Sequence, residues 1–386
     1  MKRLLPLFIA KFLLNFVLWY TIEKLFMYDI GFSDAGIAIV IAIYSVMSVI
    51  MEVPSGILAD RWSRKGVMML AAASLALSSL LGWLSEDVPL YIVSSIFWGF
   101  FDAFASGTAS AMIYDILKEE QGHTRNYHEV LGSFEALGGV ALIVSALLGG
   151  MVGSLMSLRM TFLLTAVIAT IAMISLYFYR DTVAHKESAD TRLLTHTKRT
   201  FAVVLKNHDL IWIVIALLAL FLVQKLNGEF YQLWYVALAV PTALFGIAGA
   251  FVTGTYSSGG FLAGRISSRI KLVTTLVIML IATAGMIISP VAWLTVGLQF
   301  VLGTAAFALL LVFTAKLQHH LPSRYRAGAG SVVNTVGRLL FIPVVLSFGL
   351  VSSNSSIFTA GWIVMMIAMV ATFAGVLARN DELSRI

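Results

Sequence analysis

GILADRWSRK occupies residues 56–65, and GFLAGRISSR occupies residues 260–269. The segments coincide at Gly56 and Gly260, Leu58 and Leu262, Ala59 and Ala263, Arg61 and Arg265, and Ser63 and Ser267. The copies lie 204 positions apart in a chain of 386 residues, and each interrupts apolar sequence with basic residues. That is the pattern of a short helix–loop–helix joint used twice. A repeat at about half the chain length implies two halves of like design.

The sequence around the joints is too apolar for a water-soluble domain: 59% of residues are hydrophobic, 12% are charged, and the mean hydropathy is +0.92. Lipid must be the solvent for much of it. Twelve apolar stretches are long enough to span a bilayer: 4–27, 37–59, 66–84, 89–116, 128–152, 158–179, 210–236, 243–265, 270–289, 291–316, 328–351 and 355–378. Strands of a membrane barrel would be near ten residues long and alternate in polarity, and these stretches do neither. The expected fold class is therefore an all-α membrane protein with twelve transmembrane helices in two pseudo-symmetric six-helix bundles. Its parts are residues 1–179, a linker at 180–209, and residues 210–386. Within the linker, residues 192–206 could form an amphipathic helix on the inner leaflet or a plain connection.

Basic residues set the expected orientation. Of 26 Lys and Arg, 21 fall at the termini and in or beside loops 59–66, 117–127, 180–209, 264–271 and 316–327, and only Arg159 lies in the opposite loops. Both ends and the linker are thus expected on the cytoplasmic side. Loop topology accounts for the net charge of +6, so no nucleic-acid partner is implied. Residues 1–18 share features with a signal peptide, but the apolar run continues past Trp19 with no small-residue cleavage site. They read as the first span. The chain has no cysteine, which excludes disulfides and thiolate metal sites.

The repeated joint resembles the signature loop between spans 2 and 3 of the major facilitator superfamily, G-x-L-a-D-R-x-G-R-[RK]. Gly56, Leu58, Ala59, Asp60, Arg61, Arg64 and Lys65 supply it here, with Ser63 in place of the second glycine. The resemblance extends to the twelve spans, the inward termini and the central loop. It implies a secondary transporter in a bacterial cytoplasmic membrane, working by alternating access as a monomer, with spans 1, 4, 7 and 10 lining a central cavity.

At the joint, Gly56 would let two helices approach closely. Asp60 could face a helix N-terminus, which the family would place at residues 328–331 (GAGS). Arg61, Arg64 and Lys65 could reach Asp115 or lipid phosphates. These residues read as a cytoplasmic latch; the plainer reading is that the basic residues only enforce topology.

Ionisable groups inside spans are costly unless they face protein or water. In span 1, Lys11, Asn15, Trp19 and Glu23 fall four apart and are expected to form a slowly drifting polar stripe on one face. In span 7, Gln224, Lys225, Glu229 and Gln232 fall mostly on one face. Together with Gln299 in span 10 and Ser106 in span 4, these residues would line the cavity. Lys225 and Glu229 could instead simply pair, as could Lys24 and Glu23.

Asp102 lies in span 4 about 20 Å of helix rise from its outer end. Ser106, Ala109, Ser110 and Ile113 are expected to share its face, making it small and polar. Low dielectric disfavours a charged carboxyl, which suits reversible protonation; the alternative is a carboxylate held by a cation such as Lys11. Candidate proton-coupling acids are Asp102, Glu229, Glu135 and Glu23. Glu135 and Arg338 are near repeat equivalents, and Glu52 with Arg338 could form a gate between spans 2 and 11 or act within their own helices.

Many relatives carry an arginine in span 4 and a glycine–proline element in span 5. This chain has neither, although Gly138, Gly139, Gly149 and Gly150 remain. The leading expectation is proton-coupled efflux of a small, amphiphilic molecule; the alternatives are an importer or facilitator of sugar, carboxylate or nucleoside and, from another class, a membrane-embedded transferase, which would need a nucleophile or metal cluster at the membrane surface. No phosphate-binding G-x-x-x-x-G-K-[ST] sequence occurs, so ATP is not expected as the energy source. His319–His320 has no acid beside it, which argues against a metal site, and nothing suggests an enzyme or a cofactor.

Overall fold

The computed structural model describes residues 3–121, 126–179, 208–321 and 323–378. The linker expectation at 180–209, with its amphipathic segment, falls almost wholly outside them. The chain divides into two compact units, one of Met1–Ala189 with Pro241–Ala250, the other of Asp190–Val240 with Phe251–Ile386.

The first unit contains α1 (Leu5–Leu14), α2 (Glu23–Asp29), α3 (Asp34–Arg61), α4 (Arg64–Leu84), α5 (Val88–Ala105), α6 (Thr108–Gln121), α7 (Tyr127–Leu155) and α8 (Leu158–Tyr177). The second is built on α9 (His208–Ala237), α10 (Thr242–Ala263), α11 (Arg269–Ile288), α12 (Ala292–His320), α13 (Ser323–Asn354) and α14 (Ile357–Leu377). Short polar residues start several of them. The side chains of Ser33, Ser63, Ser157, Ser268 and Ser356 each accept from a backbone N–H in the first turn, an N-cap that satisfies one orphan donor.

Both units repeat one set of neighbours. In the first, α4 packs on α5 and α8, and α1 packs on α7 and α8. In the second, α11 packs on α12 and α14, and α9 packs on α13 and α14. The shared joint therefore marks a shared plan. The start of α10 clusters with the first unit, where a Cβ on Gly150 would stand 2.5 Å from the Gly246 nitrogen, so the two backbones pass with no side chain between them.

Among the described residues, ten helical runs are long and apolar enough to cross a membrane, with α5 and α6 counted as one run. Two of the twelve expected spans are missing from that set. Span 8 is present as α10, but its glycines and hydroxyls dilute its hydropathy. Span 1 is corrected more deeply, because residues 15–22 leave the helix and divide it into α1 and α2.

The break survives because neighbouring helices satisfy its polar groups. The Leu18 N–H donates to Thr165 Oγ1 (3.1 Å), the Trp19 indole to Ser79 (2.9 Å), and the Thr21 hydroxyl to the Ala146 carbonyl (3.4 Å). Irregular backbone at membrane depth is tolerated only with such partners. Span 4 breaks as well, at Ser106 and Gly107. Gly107 has φ +71, a left-handed conformation that glycine adopts without a Cβ clash. The Ser106 N–H still reaches the Asp102 carbonyl (3.2 Å), and the Thr108 hydroxyl covers Phe104 O (3.0 Å).

Candidate functional site

The joint of the first unit is built around Arg64, the first residue of α4. Its guanidinium donates to Asp115 of α6, to the Ala111 carbonyl (3.2 Å), and lies 3.9 Å from Asp60. Lys65 reaches the other way, donating to the Tyr177 and Tyr179 carbonyls at 2.7 Å each, at and just past the end of α8. A cation at the C-terminal end of a helix is favoured by the free carbonyls there. One pair of basic residues thus ties α4 to α6 and to α8.

Ser63, the departure from the signature, has a local explanation: its hydroxyl accepts from Gly66 N (2.9 Å) and starts α4. In the second copy the capping serine is Ser268, one position later relative to the repeat. The close helix approach expected at Gly56 is not found, since a Cβ there would meet nothing within 4 Å. Gly99 of α5 takes that role, with Tyr44 O of α3 2.6 Å from where its Cβ would be. Arg61 is exposed and Asp60 is largely so.

These exposures rank the joint's pairs. Asp60 and Arg64 form an i,i+4 pair with Asp60 55% exposed, worth a few tenths of a kcal/mol. Asp115 and Arg64 are 22% and 25% exposed, and removing one partner strands the other. Asp115→Asn is therefore expected to cost about 1–3 kcal/mol of stability and Asp60→Asn almost none. Thermal unfolding of the two purified variants checks this, and equal losses would contradict the ranking.

The acids of the first unit have different surroundings. Glu135 of α7 binds Lys11 of α1 (2.7 Å), whose chain crosses Gly138 and whose ammonium lies 5.0 Å from the Phe134 ring centroid. Lys11 is thus found on Glu135, rather than on Asp102. Glu23 holds Lys24 at 2.5 Å and accepts from the Tyr91 hydroxyl at 2.8 Å, a trio closed off inside the unit. The shared stripe of Lys11, Asn15, Trp19 and Glu23 is corrected, because the break between α1 and α2 rotates its members apart. Asn15 bonds the Lys11 carbonyl (2.8 Å), and Trp19 is 2% exposed, stacked on Phe162 with centroids 5.1 Å apart. Trp19 belongs to the packed interior rather than to an open wall.

Asp102 sits one turn before the α5–α6 break, exposed, and accepts from Ser48 of α3 at 2.5 Å. Ser55, two turns along α3, donates to Ala103 O (3.3 Å), so α3 carries hydroxyls against this part of α5. The break corrects the expected common face of Asp102 with Ala109, Ser110 and Ile113, which lie on α6. Ser106 is the exposed C-cap of α5.

In the second unit, Lys225 and Glu229 of α9 are 3.9 Å apart. Gln224, Gln232 and Gln299 are buried rather than on an open face. Asn227, between them in sequence, donates to Gln299 O of α12 (3.3 Å). Glu52 lies in α3 of the first unit and Arg338 in α13 of the second; the helix N-terminus expected at residues 328–331 is corrected, because α13 begins at Ser323 and these residues lie inside it, with their backbone N–H groups in the helix.

Sequence reasoning missed Ser48, Tyr91 and Asn227. For Ser48 the signal was its seven-residue spacing from Ser55, two turns on one helix face. For Asn227 it was the three-residue step from Gln224. Tyr91 carried none, because a tyrosine in an apolar run reads as an interfacial anchor.

A helical chain that spans the bilayer many times, with one joint motif in each of two similarly built units, falls in the class of repeat-built membrane transport proteins. The model of the Major Facilitator Superfamily matches residues 4–345, and the chain belongs to that superfamily of membrane transporters. It is 31% identical over 145 residues to the tetracycline resistance protein, class H, of Pasteurella multocida. It is also 22% identical over 311 residues to the multidrug resistance protein MdtG of Citrobacter koseri. The first match covers 37% of this chain and spans only 34% of that relative; the second covers 76% and 74%. Among solved structures it is similar to the nucleoside transporter NupG, with TM-score 0.77, 17% identity, and 97% and 98% of the two chains covered. A D-xylose–proton symporter aligns with TM-score 0.71 and 15% identity over 98% of each chain. These identities establish the fold alone.

Proposed function

We propose that this protein is a secondary active transporter that exports a small, amphiphilic molecule across the cytoplasmic membrane by alternating access, in exchange for protons. Asp102 carries the reading: an exposed carboxyl beside a break in a spanning helix, within a family of transporters. Two of its relatives bear the names of resistance proteins, which supports export over uptake. The chain would work as a monomer with both ends in the cytoplasm. In inverted vesicles, an imposed pH gradient, acid inside, should drive accumulation of substrate; movement only in the opposite sense would make the protein an importer, and gradient-independent flux would remove proton coupling.

Two conformational elements belong to this proposal. The latch is assigned to Asp60, Arg61, Arg64, Lys65 and Asp115, with Asp60 as the member that engages the other half. Asp60→Asn should impair transport with membrane insertion and thermal stability intact, and parent-like flux at equal expression would remove it from the latch. The gate is assigned to Glu52 and Arg338. Each single charge reversal should depress flux, and the double swap should restore part of it through pairwise coupling. Simple additivity in the double swap would refute a direct pair.

A further inference from the structure

The second copy of the joint keeps cations of the first and loses its acids. Across the 204-residue repeat, Arg61 corresponds to Arg265 and Lys65 to Arg269, but Asp60 becomes Gly264 and Asp115 becomes His319. The loss is not local. Residues 230–380 contain eight Lys and Arg and no Asp or Glu, while 18 of the chain's 20 acids lie before residue 230. No carboxylate of that stretch can therefore neutralise the second joint. Arg265, Arg269 and Lys271 are all exposed, and among the described residues none of them forms an ion pair.

Uncharged neighbours hold two of these side chains at the turn. Arg265 lies over the Phe261 ring of α10, 3.3 Å from its centroid, and donates to the Phe261 carbonyl (3.3 Å). Lys271, in the first turn of α11, donates to Ser267 (3.2 Å). Arg269 opens α11 and repels Lys316 of α12. Like charges gathered in this way are relieved by an anion supplied from outside. The apolar residues decide which anion it is. Phe261 is 67% exposed and Ile270 is 78% exposed, one on each side of the turn. A soluble anion makes no use of apolar surface. A phospholipid presents its phosphate directly above its acyl chains and meets cations and apolar side chains together. Topology alone does not call for this arrangement, because the first joint obeys the positive-inside rule with Asp60 and Asp115 in place.

We propose that Arg265, Arg269 and Lys271, flanked by Phe261 and Ile270, form a binding site for the headgroup phosphate of an anionic phospholipid. The two joints then differ in kind. In the first, Arg64 is taken by Asp115 and Lys65 by the carbonyls at the end of α8. In the second, the bilayer supplies the anions that the sequence omits. The proposal goes beyond the transport reading and stands or falls without it.

The test is native mass spectrometry of the delipidated full chain in detergent, titrated with phosphatidylglycerol or with phosphatidylcholine of the same acyl chains. Glycerol 1-phosphate is the soluble anion. The parent should hold phosphatidylglycerol about tenfold or more tighter than phosphatidylcholine. Arg265→Gln, Arg269→Gln and Lys271→Gln should each weaken phosphatidylglycerol by about fivefold and leave phosphatidylcholine unchanged. Phe261→Ser combined with Ile270→Ser should weaken the lipid as well, with any affinity for glycerol 1-phosphate unchanged. These side chains are exposed, so the lipid-free melting temperatures should match the parent's. The glutamine variants are read singly, and a folding defect in one leaves the other two to decide. Lys118→Gln removes an exposed cation beside Glu119 and Glu120 and should leave lipid binding unchanged. Equal affinity of the parent for the two lipids would overturn the proposal, as would full affinity in the glutamine variants. An equal loss in Lys118→Gln would assign binding to net charge and overturn it. Glycerol 1-phosphate bound as tightly as the lipid, or full lipid affinity in the serine variant, would make the partner a soluble anion and overturn it too.

Discussion

Asp102→Asn is expected to bind substrate and to exchange it, and to lose all accumulation driven by a pH gradient. Asparagine keeps the volume of the protonated carboxyl and its capacity to accept from Ser48, but it cannot release a proton. One pH unit across the membrane is worth about 1.4 kcal/mol per proton, or about a tenfold concentration ratio for a one-proton exchange. Under that gradient the parent should approach about tenfold accumulation, while the variant stays at unity with its exchange rate retained. Loss of binding in the variant would make Asp102 a substrate ligand and not a coupling acid. If Asp102→Asn still concentrates substrate while Glu135→Gln or Glu229→Gln does not, coupling moves to span 5 or span 7. If all three variants accumulate normally, coupling through these carboxylates is wrong.

Surroundings separate these acids in a way that sequence position could not. Glu135 has Lys11 at 2.7 Å, and Glu23 is enclosed with Lys24 and Tyr91, so each carboxylate has a cation beside it. Glu229 has Lys225 at 3.9 Å. The Asp102 carboxyl accepts from Ser48, among its contacts, and differs from Glu23 in being exposed, beside a helix break. The pairing of Lys11 with Glu135 follows from the packing of α1 on α7, two elements more than a hundred residues apart.

The class of fold was legible because bilayer thickness and the positive-inside rule act on composition alone, and the joint repeats a recognisable motif. The breaks were legible to different degrees. Ser106–Gly107 contains a glycine in a hydroxyl-rich stretch, a local signal hidden by the hydropathy of its flanks. Residues 15–22 (NFVLWYTI) contain neither glycine nor proline. Their irregular backbone is imposed by Thr165, Ser79 and Ala146, partners from three other helices. Tertiary contacts of this kind leave no mark on the local sequence. For the same reason Gln224 and Gln299 were recognised as polar residues in spans, but their burial was not.

Gly149→Ala is expected to abolish stable folding or lower the melting temperature by many degrees. Gly149 of α7 lies on the irregular segment between α1 and α2, and a Cβ there would overlap the Leu18 carbonyl oxygen, with Leu18 C at 3.0 Å and Thr21 Oγ1 at 3.3 Å. The obstacle is mainly backbone, so no side-chain rotation can relieve it. Overpacking of a well-packed interior costs typically about 1–3 kcal/mol. Here α7 must also retreat from the segment, which pulls Ala146 O away from the Thr21 hydroxyl and leaves polar atoms of the break unpaired in lipid. A total above about 3 kcal/mol follows. The same helix supplies its own control. A Cβ on Gly132 or Gly139 would meet nothing within 4 Å, so alanine there should be neutral or slightly stabilising through helix propensity. Thermal unfolding of the three alanine variants in detergent decides the matter. If Gly149→Ala melts with the parent, α7 does not pass this close to residues 18–21, and the break loses the helix that helps to hold it open.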